Sequence, residues 1–130
     1  MTTITEDYVS FETAKLLKDK GFNEPLSTYY NEDTLIQESI ITRDWNNDKF
    51  VVNCITAPTL QMAMKWLREK HNIHIVVHPY TDMEGQHWGF IFDKFTYGCW
   101  IELGIYITDS WNSYEEACEV GIKYCLENLI

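Results

Sequence analysis

The spacing of hydrophobic positions changes character along the chain, and those changes mark its elements. In "SFETAKLLKDKGF", Ala14, Leu16 and Leu17 fall at helical spacing behind Ser10, an N-cap residue type, with Glu12 in the first turn. Gly21 can close this helix in a left-handed conformation, which puts Phe22 where a Schellman ending makes its apolar contact with Leu17. In "APTLQMAMKWLREKHN" the helical stripe is Leu60, Ala63, Met64 and Leu67; Pro58 suits a first turn and Asn72 ends the run. Met62 and Trp66 flank the stripe and are read as additional packing.

From Ile73 the period drops to two. "IHIVVHPY" sets Ile73, Ile75 and Val77 against His74, Val76 and His78. "HWGFIFDKF" alternates through Trp88, Phe90 and Phe92, and "CWIELGIYIT" through Ile101, Leu103, Ile105 and Ile107. The joining segments, "TDMEGQ" and "TYG", are too short for helical crossovers and predict antiparallel hairpins. Helical spacing returns in "SYEEACEVGIKYCLENLI", where Ser113 and Glu116 stand at capping-box distance and Cys118, Ile122, Cys125 and Leu129 line one face. Gly121 costs that helix about 1 kcal/mol relative to alanine, which predicts a close approach to the sheet. Between 23 and 56, "LSTYY", "TLIQES" and "KFVVNCIT" have strand composition and "NED" and "WNND" turn composition.

These patterns predict a single α+β domain spanning 1–130. Its centre is a three-stranded antiparallel meander packed on one face by two helices, at about 59–71 and 113–129, in the order α-β-β-β-α. A short N-terminal helix and a small β hairpin precede it.

Composition narrows the function. Twenty acidic residues against ten basic ones give a net charge of −10, a field that repels nucleic acid and anionic membranes. The expected partner is therefore a protein, with no direct nucleic-acid binding, no membrane and no cofactor; the oligomeric state is left open. The opening "MTTITEDYVS" lacks the basic and apolar regions of a secretory signal, and the apolar runs fall far short of the roughly 20 residues that cross a bilayer. A cytoplasmic location is expected, and with it reduced, mostly buried thiols at Cys54, Cys99, Cys118 and Cys125.

All four histidines, His71, His74, His78 and His87, fall within one segment. Helical spacing would let His74 and His78 converge on a metal. Strand spacing separates them by about 13 Å, too far for a shared ion. His71 belongs to the end of a helix, where an imidazole can meet terminal carbonyls. A pair formed by His78 and His87 across the hairpin is the one arrangement left open, and the chain is read as holding no metal. No phosphate-cradling glycine loop, G-x-S-x-G elbow or H-E-x-x-H pattern occurs. Cys99 alternates with Ile101 and Leu103, so its thiol is expected on the apolar face as inert packing. No catalytic residue is assigned.

If Ile101, Leu103, Ile105 and Ile107 pack under the helices, Trp100, Glu102 and Tyr106 face away, joined by His74 and His78. Aromatic groups of this kind anchor protein interfaces. Either that face is open, or residues 23–56 fold across it. The leading expectation is a non-enzymatic protein-binding accessory or regulatory factor. The alternatives are an acidic nucleic-acid mimic that inhibits a DNA-binding or nuclease protein, and a small hydrolase or metal enzyme.

The segments "SFETAKLLKDKGF", "APTLQMAMKWLREKHNIHI" and "SYEEACEVGIKYCLENLI" resemble a group of small proteins of gut bacteria and their phages or mobile elements, a likeness that implies no activity. The order helix, three antiparallel strands, helix also resembles the double-stranded-RNA-binding fold. That family contacts phosphates with lysines at the start of its last helix. The matching turn here, "SYEEACE", carries Glu115, Glu116 and Glu119 instead, so the resemblance implies topology and not RNA binding.

Overall fold

In the computed structural model of the chain, residues 3–37 and 40–130 are described, with side chains for all of these except 104–110. Ser10 caps α1 (Phe11–Asp19), its hydroxyl accepting the Thr13 N–H at 3.2 Å. Gly21, at φ 91°, ends it. The Phe22 N–H then donates to Leu17 O at 2.9 Å and the Gly21 N–H to Lys18 O at 3.0 Å, the Schellman pair expected from the sequence. Phe22 and Leu17 are both in the core.

Residues 28–56 build more than a hairpin. Strands β1 (Thr28–Asn31), β2 (Thr34–Gln37) and β3 (Cys54–Thr56) form an antiparallel sheet in the order β2-β1-β3. β3 is shorter than "KFVVNCIT" suggests. Asn53 adopts φ 64° and breaks the extended run, leaving Phe50 and Val52 in solvent. Between β2 and β3, Asn46 crosslinks the loop, donating to Phe22 O and accepting the Thr56 N–H.

Helix α2 (Leu60–His71) starts two residues later than Pro58 at its first position would place it. Thr59 is the N-cap, accepting the Met62 N–H at 3.1 Å, and Pro58 precedes it, buried. Asn72, in the left-handed region at φ 59°, closes the helix. Leu60, Ala63, Met64 and Leu67 are buried. Of the flanking pair, Trp66 is buried between Phe22 and His71, with ring centroids at 5.3 and 4.6 Å, whereas Met62 is exposed.

The meander follows as β4 (Ile73–Asp82), β5 (Gly85–Thr96) and β6 (Cys99–Trp111), in the order β4-β5-β6, and α3 (Tyr114–Asn128) closes the chain. The strands run further into their turns than the sequence suggests, leaving two-residue loops at 83–84 and 97–98. Tyr97 and Gly98 both have positive φ, the mirror-image turn that suits the twist of paired strands. Ser113 accepts the Glu116 N–H at 3.1 Å, and the Glu116 carboxylate reaches back to the Asn112 N–H at 3.3 Å.

Helices α2 and α3 pack on one face of the meander, and α1 lies against α3 and β3. Ile73, Ile75, Phe90 and Phe92 fill that inner face, burial worth about 1.5–3 kcal/mol for each side chain. They share one core with Leu17, Tyr30, Leu67, Ile122 and Leu126.

Two expectations for β6 need correction. Ile101 is 43% exposed and Cys99 is exposed, so neither packs under the helices. The reason is length: the 12 residues of β5 span about 40 Å, whereas the 15 of α3 span about 22 Å. The β5–β6 hairpin overhangs, and Ile101, paired with Lys94, lies beyond the helical cover. Leu103 does pack against the core, whereas Ile105 and Ile107 lie outside the described side chains. β6 is also irregular: it advances from Glu102 to Tyr106 while β5 moves only from Asp93 to Ile91, and from Ile107 to Trp111 while β5 moves from Phe90 to Trp88. Extra residues of this kind bend an edge strand and blunt it against further pairing.

Candidate functional site

The outer face of the meander follows from parity. Ile73 and Ile75 point inward, so His74 and Val76 point outward; Phe90 and Phe92 point inward, so Ile91 and Asp93 point outward. Register sets these side chains in rows. Phe95 is opposite Trp100 in the first row. His74, Asp93 and Glu102 form the second across all three strands, and Val76 faces Ile91 in the third. Next to these, His78 stands opposite Gly89 and Tyr80 opposite His87.

Rings confirm the shared face. Trp100 meets His74 edge-on, with centroids 5.9 Å apart, and tilts against Phe95 at 5.4 Å. Both aromatics remain accessible, Trp100 at 48% and Phe95 at 40%, and Glu102 is exposed. The small β1–β3 sheet lies on the side of α1 and α3, with β3 against α1. Of the five residues expected there, the structure gathers Trp100, Glu102 and His74 at one end and puts His78 further along β4. The Tyr106 side chain lies outside the described residues; its backbone pairs with Ile91. Asp93 and Phe95 also belong to the site, and the alternation of "GFIFDKF" carries the signal for both.

Burial, followed by the charge of Arg68, holds the His74 imidazole below its ordinary pKa, with Asp93 pulling the other way. His74 is thus neutral near pH 7, and its Nδ1 is enclosed without a hydrogen-bond partner. His71 is likewise lowered, by burial and then by Lys20.

His74 and His78 occupy one face of a single strand, about 13 Å apart. His87 Nε2 lies 3.0 Å from Asp82 Oδ1, with the Tyr80 ring at 5.5 Å. Among the described residues there is no cluster of three His, Cys, Asp or Glu side chains placed to hold a metal ion, and no helix is long and apolar enough to cross a membrane.

A second feature is an open groove of about 450 Å³ beside the start of α3. Its acidic lining is Glu6, Asp7, Glu115, Glu116 and Glu119, around Tyr30. Glu119 has a structural task there: its Oε1 accepts the Thr13 hydroxyl at 2.7 Å and the Ser10 N–H at 3.1 Å, tying α3 to the start of α1. Sequence spacing hid this groove, because Glu6 and Asp7 lie more than 100 positions from the glutamates they join.

No family model, curated protein or solved structure matches the chain.

Proposed function

We propose that the protein is a non-enzymatic binding protein, an accessory or regulatory factor of a mobile element, that holds a protein partner against the outer face of β4, β5 and β6. What supports this reading most is the pair of half-exposed rings, Trp100 and Phe95, held in contact on the outer sheet face. Aromatic anchors on a rigid platform lose little conformational freedom on binding and are the usual centres of interface energy. The test uses a photo-crosslinking residue in place of Tyr97, exposed in the β5–β6 turn beside Phe95 and Trp100, with one at Met83, in the distant β4–β5 turn, as control. Host proteins should crosslink at position 97 and not at 83. Full retention of every specific partner by a Trp100→Ala, Phe95→Ala variant would remove the face from consideration.

The acidic groove favours a second reading, that of a nucleic-acid mimic which occupies a basic DNA-binding or nuclease surface. It predicts salt-sensitive competition with DNA for such a protein. Glu115→Gln, Glu116→Gln should abolish that competition if the groove is responsible.

A further inference from the structure

We infer that the outer face of the meander receives an arginine side chain from the partner protein, its guanidinium held between the rings of Trp100 and Phe95 and the carboxylates of Asp93 and Glu102. The inference rests on the docking face proposed above and assigns the chemistry that face accepts.

Its starting point is an arrangement that works against the fold. Asp93 and Glu102 are register partners on adjacent strands. Directly opposed side chains have Cβ atoms about 5 Å apart, and like charges so placed are destabilising. The ion pairs of the described residues join Arg43 to Asp48, His87 to Asp82 and Lys123 to Glu12, and none includes Asp93 or Glu102. The third member of the row, His74, is neutral near pH 7. Arg68 lies close enough to act on His74 but forms no ion pair with either carboxylate. Two carboxylates thus share one register position, without an ion pair among the described residues, on an accessible face.

The neighbouring row supplies the other half of the recognition. Phe95 is two residues from Asp93 on β5, and Trp100 two residues from Glu102 on β6, so rings and carboxylates are adjacent on the same side. A cation over an indole face and within reach of carboxylates gains from both. Arginine fits better than lysine, because a planar, weakly hydrated guanidinium stacks on a ring while its N–H groups fork onto carboxylate oxygens. Anionic partners are repelled by the same pair. A second copy of the chain would present its own net charge of −10 and has only two arginines, of which Arg43 is already engaged with Asp48 and Trp45.

The test titrates the full-length, ¹⁵N-labelled protein with end-blocked Gly-Arg-Gly-Arg-Gly and with its lysine and citrulline counterparts. The arginine peptide should shift the Trp100 indole and the amides of Asp93 and Glu102; the lysine peptide should bind several-fold more weakly, and neutral citrulline should have no effect. Asp93→Asn, Glu102→Gln should weaken arginine binding about tenfold or more, while the thermal midpoint holds or rises because the like-charge pair is relieved. Shifts confined to Glu6, Asp7 and Glu115, unchanged affinity in the neutralised variant, or a fall in its thermal midpoint would each overturn the inference. In the crosslinking assay, a partner lost with Trp100→Ala yet kept by Asp93→Asn, Glu102→Gln refutes the arginine and leaves the docking face standing. A partner kept by both variants refutes both.

Discussion

Replacing Gly121 with alanine sets helix propensity against packing, and the structure decides which prevails. Alanine is favoured by about 1 kcal/mol in a helix interior, so on α3 alone the substitution would stabilise. A Cβ at this position, however, would stand 3.1 Å from Ile75 Cγ2 and 3.4 Å from Phe90 Cγ. Ile75 and Phe90 are enclosed in the core, with little room to retreat. Overpacking of this kind costs about 1–3 kcal/mol, which leaves Gly121→Ala destabilising by about 1 kcal/mol. Urea unfolding should register this at an unchanged slope. Ile75→Ala removes the methyl in question, at a cost of about 2–5 kcal/mol for the cavity. In that background Gly121→Ala should become stabilising by about 1 kcal/mol, so the cycle should yield a coupling of about 2 kcal/mol. A gain in stability from Gly121→Ala in the otherwise native chain would refute the argument, since it would mean that the sheet leaves room for the methyl.

Three further outcomes follow from burial and hydrogen bonding. Burial lowers the folded-state pKa of His71 and His74, so the unfolded chain takes up protons first as pH falls. Stability should be full above the unfolded-state value of about 6.5 and decline as pH falls below it; a His71→Gln, His74→Gln variant that kept the same slope in pH-dependent urea midpoints would count against this. Burial pushes the Cys118 thiol to about 11, the Cys125 thiol to about 12 and the Cys54 thiol upward. With Cys99 alone exposed, a chromogenic disulfide at pH 8 should titrate one thiol in the native protein and four after unfolding, and fast labelling of Cys118 or Cys125 would contradict the packing of α3. Glu119→Ala leaves the Thr13 hydroxyl and the Ser10 N–H without their shared acceptor. It should cost about 1–3 kcal/mol, most of it recovered by Glu119→Gln, as measured by the same unfolding assay.

The local features were legible because each is written within a few residues. Ser10, Gly21 and Phe22 spell out the ends of α1, Ser113 and Glu116 the start of α3, and alternation within Ile73–Val77, Trp88–Phe92 and Cys99–Leu103 fixes which side chains share a face. That alternation separated His74 from His78 and put Trp100 and Glu102 on the outer side. Where the reading failed, a dihedral or a distant element had overridden the local pattern. Positive φ at Asn53 cut "KFVVNCIT" down to Cys54–Thr56. Cys99 and Ile101 have the parity of core residues but lie past the end of the helices that would bury them.

The sequence by itself determined the period of each element, its caps and the two faces of each strand of the meander, since these depend on backbone geometry over one or two turns. Only the tertiary structure decided that β1, β2 and β3 form a sheet of their own, that Asp93 and Glu102 meet across β5 and β6, and that Glu6 and Asp7 join Glu115 in a groove. Those juxtapositions depend on register and packing between segments far apart in the chain, which no local periodicity encodes.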